Sequence, residues 1–221
     1  MKAYIFDLDG TLLDSMGLWA QIDVDFLGKR GLAVPPDYID AVCSKSFPEA
    51  AAYTIARFGL PDSASDVLRE WHDMAARAYG GTVEMKPHAR EYLLELKKRG
   101  AKLGIATSLT PGLYGPALRR HGIEGLFDAV CSSGEVGCGK TRPDIFYLAA
   151  KKLGVPPSEC VMFEDILEAV ISAKAAGMTV YGVYDRYSEK QWGRIKDAAD
   201  GVIYDFREAQ RQLTMNNEQL G

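Results

Sequence analysis

Short apolar runs that alternate with helical patterns are the feature that most restricts the fold of this chain. Six runs are predicted as strands, at residues 3–8, 102–108, 127–132, 160–163, 179–184 and 201–204. Between the first five lie four helical patterns that each end at a glycine, at residues 87–99, 113–121, 143–153 and 167–176. Continuous apolar runs suit parallel strands that are buried on both faces. The sequence therefore predicts an α/β fold with a doubly wound parallel sheet.

One long segment, residues 16–81, breaks this alternation. It contains no convincing strand, and its helical patterns cover residues 18–29, 37–43, 48–58 and 65–79. A crossover between parallel strands needs only about a dozen residues, so this segment is too long to be a simple connection. We predict an inserted all-helical domain at residues 16–81 and a core domain formed by residues 1–15 and 82–221.

The composition excludes several classes of protein. Hydrophobic residues make up 47% of the 221 residues, charged residues make up 25%, and the net charge is −4. These values are typical of a soluble globular protein, and no basic run suggests nucleic-acid binding. Asp7 and Asp9 interrupt the first apolar run too early for a signal peptide, and no apolar stretch reaches the ~18 residues of a membrane span. We expect a cytoplasmic protein that binds neither nucleic acid nor membranes.

The four cysteines are Cys43, Cys131, Cys138 and Cys160. They form no CxxC pair, and a zinc site would need closer pairing and partner histidines. We predict four free thiols.

Two acidic pairs lie at the ends of two of the predicted strands. Asp7 and Asp9 are spaced so that their side chains point the same way in an extended backbone. Glu164 and Asp165 follow a second apolar run, and ligands of open parallel sheets bind beyond the carboxyl ends of the strands. Four carboxylates at one edge favour a hard divalent cation such as Mg²⁺. The alternatives are a turn at Asp9-Gly10 and a helix cap at the second pair.

Two further segments are candidates for holding an anion. Thr107 and Ser108 end the second predicted strand, where hydroxyl and backbone N–H groups can hold phosphate oxygens. Ser108 could instead cap the next helix. Lys140 lies in a loop before a helix, where it could neutralise phosphate or orient an aspartate, although an isolated loop lysine is usually solvated.

These segments together resemble the four motifs of the haloacid dehalogenase superfamily. They are, in order, Phe6-Asp7-Leu8-Asp9-Gly10-Thr11-Leu12, the strand end at Thr107, Gly139-Lys140 and Phe163-Glu164-Asp165. The resemblance spans about residues 3–185, and the helical insertion resembles the cap of phosphoglycolate phosphatase and β-phosphoglucomutase relatives. It implies a Rossmann-like three-layer core with the first strand at its centre, and a cap that opens and closes over the site.

The resemblance also implies a catalytic role for each matched residue. Asp7 is expected to attack phosphorus and form an aspartyl-phosphate. Asp9 is expected to protonate the leaving oxygen and then to deprotonate the attacking water. Thr107 would bind a phosphoryl oxygen with help from the backbone of Ser108, and Lys140 would balance charge.

The same resemblance implies a magnesium site. Asp7, the backbone carbonyl of Asp9 and Asp165 are expected to hold Mg²⁺, with Glu164 binding it directly or indirectly. This agrees with the electrostatics, because a phosphomonoester dianion is repelled by a carboxylate unless cations offset the repulsion.

Two observations narrow the function within the superfamily. Its dehalogenases lack the second aspartate of the first motif, so Asp9 favours phosphoryl transfer. The β-phosphoglucomutase relatives carry a cap histidine and a cap arginine where this chain has Trp19 and Phe47, which disfavours a mutase. Trp19 lies just after the expected hinge, and we expect it to contact the substrate.

We therefore expect a Mg²⁺-dependent phosphatase of a small phosphorylated metabolite, either a monomer or a weak homodimer. One alternative is a β-phosphoglucomutase-like sugar phosphomutase. Another is a non-catalytic protein that binds a phosphorylated ligand, although such a protein has no need for a leaving-group acid at Asp9.

Overall fold

A six-stranded parallel sheet forms the centre of the fold, as the alternating pattern predicts. The structure is a computed structural model that describes residues 2–42 and 47–211. The strands are β1 (Ala3–Phe6), β2 (Lys102–Thr107), β3 (Ala129–Ser132), β4 (Cys160–Glu164), β5 (Thr179–Val183) and β6 (Gly201–Ile203). Their order is β3-β2-β1-β4-β5-β6, and every neighbouring pair is parallel. This confirms the predicted fold class and the position of β1 inside the sheet.

Helices cover both faces of this sheet. A further group of helices lies between β1 and β2 in the chain. The helices are α1 (Met16–Gly28), α2 (Tyr38–Val42), α3 (Phe47–Phe58), α4 (Ala64–Gly81), α5 (Ala89–Lys98), α6 (Pro111–Arg120), α7 (Ser133–Val136), α8 (Asp144–Leu153), α9 (Leu167–Ala175) and α10 (Trp192–Ala198). Ile5 packs with the apolar side chains of α8 and α9, whereas its neighbour Phe6 packs with those of α5. The alternation of side chains along β1 therefore builds one apolar core on each face.

The register of the strands sets the position of the candidate site. Phe6 pairs with Ile105 of β2 and with Phe163 of β4. The residues that follow these three positions therefore lie level with one another at the carboxyl edge of the sheet. The backbone N–H of Asp7 continues the pattern by donating to the Phe163 carbonyl at 3.1 Å.

The first strand is shorter than predicted, ending at Phe6 rather than at residue 8. The backbone N–H groups of Thr11, Leu12 and Leu13 all turn back to the Leu8 carbonyl. A tight turn therefore replaces the extended backbone immediately after Asp7. The apolar character of Leu8 suggested strand, but this residue is buried beneath the turn.

Helices α1–α4 form the helical cap that the sequence predicts. The segments that leave and re-enter the core pair with each other through an antiparallel bridge between Leu13 and Met85. The N–H of Asp14 donates to the Glu84 carbonyl, and the N–H of Lys86 donates to the Leu12 carbonyl, both at 2.9 Å. Helix α4 packs against core helix α6. The domain boundaries at 15/16 and 81/82 stay predictions.

Two helices were not predicted from the sequence. Helix α7 begins with a capping box, in which the Glu135 side chain accepts from the Ser132 N–H at 2.9 Å. The spacing of a serine and a glutamate three residues later is a recognisable signal for this start. Helix α10 follows β5 and buries Trp192 and Ile195.

The cysteine and membrane expectations can be compared with the described residues. Cys131, Cys138 and Cys160 are free thiols, as predicted, and Cys43 lies outside the described residues. No helix in the described part of the chain is long and apolar enough to span a bilayer.

The packing of α8 gives a test of the core. Phe146 is fully buried, whereas its neighbour Tyr147 is 47% exposed. Phe146→Ala is expected to lower the free energy of unfolding by about 3–5 kcal/mol, because it leaves a cavity beneath the sheet. Tyr147→Ala, the control, is expected to change it by no more than about 0.5 kcal/mol. Urea denaturation measures both, and equal effects would contradict this packing.

Candidate active site

A buried ion pair joins the end of β1 to the loop before α8. Asp7 is 4% exposed and Lys140 is 8% exposed. The Lys140 Nζ lies 2.6 Å from Asp7 Oδ1. The sequence left open whether this lysine is solvated, and the structure shows that it is directed into the protein against the carboxylate.

Glu164, the last residue of β4, holds Lys140 from the other side. The Lys140 Nζ donates to Glu164 Oε2 at 2.9 Å. The backbone N–H groups of Asp165 and Ile166 both donate to Glu164 Oε1 at 3.1 Å. Both carboxylate oxygens therefore have partners within the protein, and Glu164 acts as an anchor for the lysine.

Asp165 differs from Glu164 because one of its oxygens has no partner. The hydroxyl of Thr11 donates to Asp165 Oδ1 at 2.9 Å. Asp165 is fully buried, and its Oδ2 has no hydrogen-bond partner among the described residues. A buried carboxylate oxygen without a partner is costly, so this atom is a candidate metal ligand.

The three carboxylates form one cluster. Ligand atoms from Asp7, Glu164 and Asp165 all lie within 4.8 Å of one another. Lys140 supplies one positive charge against these three groups. The unpartnered oxygen, the oxygen-only donor set and the uncompensated negative charge fit a small, hard divalent cation.

The cluster shifts the protonation of its members. Burial raises the pKa of Glu164 to about 7, with Asp7 adding to the rise and Lys140 opposing it. Burial and the neighbouring charges of Glu164 and Asp7 raise the pKa of Asp165 well above its usual value. Burial alone would lower the pKa of Lys140, but the two adjacent carboxylates raise it, so the lysine stays charged.

Asp9 is held by two hydroxyl groups. Ser15 Oγ and Tyr79 Oη each donate to Asp9 Oδ1 at 2.5 Å. Burial raises the pKa of Asp9 to about 6, although these two hydrogen bonds oppose the rise. Such a value suits a group that gives and takes a proton near neutral pH.

The remaining predicted residues lie at the same edge or in the cap. Thr107 is buried at the end of β2, and its Oγ1 accepts from the Leu109 N–H at 3.1 Å. Ser108 is exposed. Trp19 of α1 packs edge-on against Phe47, with ring centroids 5.0 Å apart, and Phe47 is 50% exposed.

Sequence reasoning missed Thr11, Ser15 and Tyr79. Thr11 lies inside the recognised first motif, so its polar side chain was a usable signal. Ser15 directly precedes α1, where a serine is ordinarily interpreted as a helix cap. Tyr79 is one of many apolar positions on an amphipathic helix, and no local pattern links it to Asp9.

This chain is similar to known proteins in both sequence and structure. A model of the haloacid dehalogenase-like hydrolase family matches residues 1–177. Hexitol phosphatase A of Escherichia coli is 33% identical over 184 residues, which cover 82% of this chain and 82% of that protein. SUPPRESSOR OF QUENCHING 1, a chloroplastic protein of Arabidopsis thaliana, is 33% identical over 93% of this chain, but the chain spans only 20% of that protein.

The fold is also shared with solved structures. A Thermotoga maritima protein, provisionally assigned as a beta-phosphoglucomutase, superposes with a TM-score of 0.77 at 27% identity. The match covers 92% of this chain and 94% of that chain. The chain belongs to the haloacid dehalogenase-like hydrolase family, which confirms the resemblance seen in its motifs. The phosphatase relative supports the expected enzyme class, a phosphoric monoester hydrolase.

Two glycines of similar conformation give a test of the site. Gly10 has φ +74° and a Cβ there would collide with Asp165 Oδ2, whereas Gly31 has φ +70° and open space around it. Both alanine variants are expected to lose about 1 kcal/mol of stability from the left-handed backbone, and Gly10→Ala is expected to lose more because of the collision with Asp165. Gly10→Ala alone is expected to lose roughly 10–100-fold in kcat/KM, because it displaces a candidate metal ligand.

Thermal unfolding and the hydrolysis of p-nitrophenyl phosphate measure these two effects separately. Equal activity losses in Gly10→Ala and Gly31→Ala would show that activity does not depend on the present position of the Asp165 carboxylate.

Proposed function

We propose that this protein is a Mg²⁺-dependent phosphatase that hydrolyses a small phosphorylated metabolite through an aspartyl-phosphate on Asp7. The observation that carries the proposal is the Asp7–Lys140 ion pair of 2.6 Å beside the unpartnered Oδ2 of Asp165. The pair lies at the carboxyl edge of a parallel sheet, where such folds bind their ligands.

Asp7 is the proposed nucleophile. Its carboxylate attacks phosphorus, the bond from phosphorus to the ester oxygen breaks, and the electron pair of that bond leaves with the oxygen. Water then attacks the phosphorus of the aspartyl-phosphate, and the Asp7 carboxylate is released. The reaction is thereby divided into two easier steps.

Asp9 is the proposed acid and base. In the first step it gives its proton to the leaving oxygen, and in the second it takes a proton from the attacking water. Its pKa of about 6 allows both protonation states near neutral pH.

Lys140, Thr107 and Ser108 are the proposed phosphoryl-binding residues. The Lys140 ammonium offsets charge on the transferring oxygens and on Asp7. The Thr107 hydroxyl lies at the adjacent strand end and accepts from the Leu109 N–H, which leaves its own proton available for a phosphoryl oxygen. The exposed Ser108 can offer its backbone N–H.

Asp7, Asp165 and the Asp9 carbonyl are the proposed ligands of Mg²⁺. When bound there, the ion supplies positive charge that stabilises the phosphoryl oxygens. Glu164 supports the site through Lys140, because its own oxygens are already engaged.

The substrate class rests on the relatives and on the cap. Hexitol phosphatase A is named for a small phosphorylated polyol. The partly buried Trp19 and exposed Phe47 form an aromatic pair in the cap, and we place Trp19 against the substrate. The cytoplasmic location and the monomer or weak homodimer stay predictions.

A sugar phosphomutase is the second candidate, favoured by the similarity to the Thermotoga maritima structure. The aromatic pair of Trp19 and Phe47 favours hydrolysis instead, because those positions lack the histidine and arginine expected of a mutase. The presence of Asp9 favours an enzyme over a non-catalytic binding protein, because such a protein has no need for a leaving-group acid.

Replacement of the nucleophile tests the function. Asp7→Asn is expected to lower the Mg²⁺-dependent release of phosphate from p-nitrophenyl phosphate and from a hexitol phosphate by about 10³-fold or more. Asp25→Asn, at an exposed cap position, is the control and keeps its activity. Full activity in Asp7→Asn would contradict the proposal. Interconversion of β-glucose 1-phosphate without release of phosphate would establish the mutase.

The protonation of the cluster gives a prediction for metal binding. The raised pKa values of Glu164 (about 7) and Asp165 both favour proton uptake by the metal-free cluster as the pH falls. Because a cation held by Asp7 and Asp165 would favour the deprotonated forms of Asp165 and of the neighbouring Glu164, Mg²⁺ affinity is expected to rise from pH 6 to pH 8, by up to about tenfold per pH unit for each proton released.

Isothermal titration calorimetry in two buffers of different ionisation enthalpy counts those protons. Glu168→Gln, at an exposed position beyond the cluster, is expected to keep the pH dependence. A pH-independent affinity with no proton release would contradict the prediction.

A further inference from the structure

The Asp9 carboxylate is held asymmetrically. Ser15 and Tyr79 both donate to Oδ1, each at 2.5 Å. Among the described residues, none donates to Oδ2. Ser15 directly precedes α1 and Tyr79 lies on α4, so one donor lies just before the cap insertion and the other near its end.

The Tyr79 hydroxyl is itself fixed in place. Tyr79 is fully buried, and its helix packs against core helix α6. Burial and the nearby Asp9 charge raise the pKa of Tyr79, so the phenol stays protonated and remains a donor.

The asymmetry decides which oxygen can carry a proton. A carboxylic acid can hold its proton on either oxygen, but a proton on Oδ1 would face the two donating hydroxyl groups. Either hydroxyl could accept such a proton only by giving up its own hydrogen bond to Oδ1, so the proton is favoured on Oδ2. A general acid works only when the oxygen that carries the proton is within hydrogen-bonding reach of the leaving group.

We propose that Tyr79 is a positioning residue that fixes the Asp9 carboxyl so that Oδ2 faces the leaving oxygen of the substrate. The inference rests on the proposed function, in which Asp9 is the acid and base. Tyr79 transfers no proton itself. Because it comes from the cap, it makes the placement of the acid depend on a residue outside the core.

The leaving group distinguishes positioning from a structural role. p-Nitrophenolate leaves readily without a proton, whereas the alkoxide of glycerol 2-phosphate needs one. In the first turnover, Tyr79→Phe is expected to slow release of glycerol by roughly 10–100-fold, while release of p-nitrophenol changes by no more than about threefold. KM for both esters is expected to stay within about threefold, since no phosphate contact is lost. Rapid-quench measurements of each released alcohol give these rates before the aspartyl-phosphate hydrolyses.

Tyr38→Phe is the matched control. Tyr38 is also a fully buried cap tyrosine, and its hydroxyl lies 2.6 Å from Thr54 Oγ1 rather than near Asp9. Removal of the Tyr38 hydroxyl is expected to change the rates of alcohol release from the two esters by the same factor. Circular dichroism establishes that each variant is folded.

Three outcomes decide the inference. The leaving-group-selective loss in Tyr79→Phe supports it. Equal losses for both esters, or no loss, overturn it while the phosphatase function stands. A wild-type protein that hydrolyses neither ester removes the proposed function and the inference together. Should Tyr79→Phe fail to fold, Ser15→Ala removes the other hydrogen bond to Asp9 Oδ1 instead, and the absence of a leaving-group-selective loss in that variant also overturns the inference.

Discussion

The ammonium of Lys140 between Asp7 and Glu164 is the interaction on which the candidate site depends. Three carboxylates lie buried within one small volume, and Lys140 is paired with two of them. Buried charges are tolerated only when partners offset the cost of removing them from water. Glu164 uses both of its oxygens to hold the lysine and its own loop, which leaves Asp7 available for chemistry and Asp165 available for a cation.

The fold brings these groups together through the register of the parallel sheet. Because β1 lies between β2 and β4, the residues after Phe6, Ile105 and Phe163 meet at one edge. The core thereby supplies the proposed nucleophile, the phosphoryl-binding groups and the cation site. The cap contributes differently, since one of its tyrosines and the serine at its entrance hold the proposed acid. The proposed nucleophile is therefore held by core residues, whereas the position of the proposed acid also depends on the cap.

The sheet and the acidic edge could be predicted from the sequence because they depend on local patterns. Apolar runs marked the strands, and Asp7 and Asp165 each lie at the end of such a run. The end of β1 was placed too late because an apolar Leu8 is equally compatible with a buried turn. The orientation of the Lys140 side chain toward Asp7 could be predicted only from the resemblance to the haloacid dehalogenase superfamily. Tyr79 could not be predicted, because its contact with Asp9 joins residues 70 positions apart and is fixed by how the cap sits on the core.

The central claim is that the carboxylate of Asp7, which is paired with Lys140, receives the phosphoryl group from the substrate. Acid quenching of the wild-type enzyme during its first turnover, followed by peptide mass spectrometry, tests this most directly. One phosphoryl group is expected on the peptide that contains Asp7, located on Asp7 and not on Asp9. Turnover with phosphate on another residue, or with no covalent phosphate at any quench time, would contradict it.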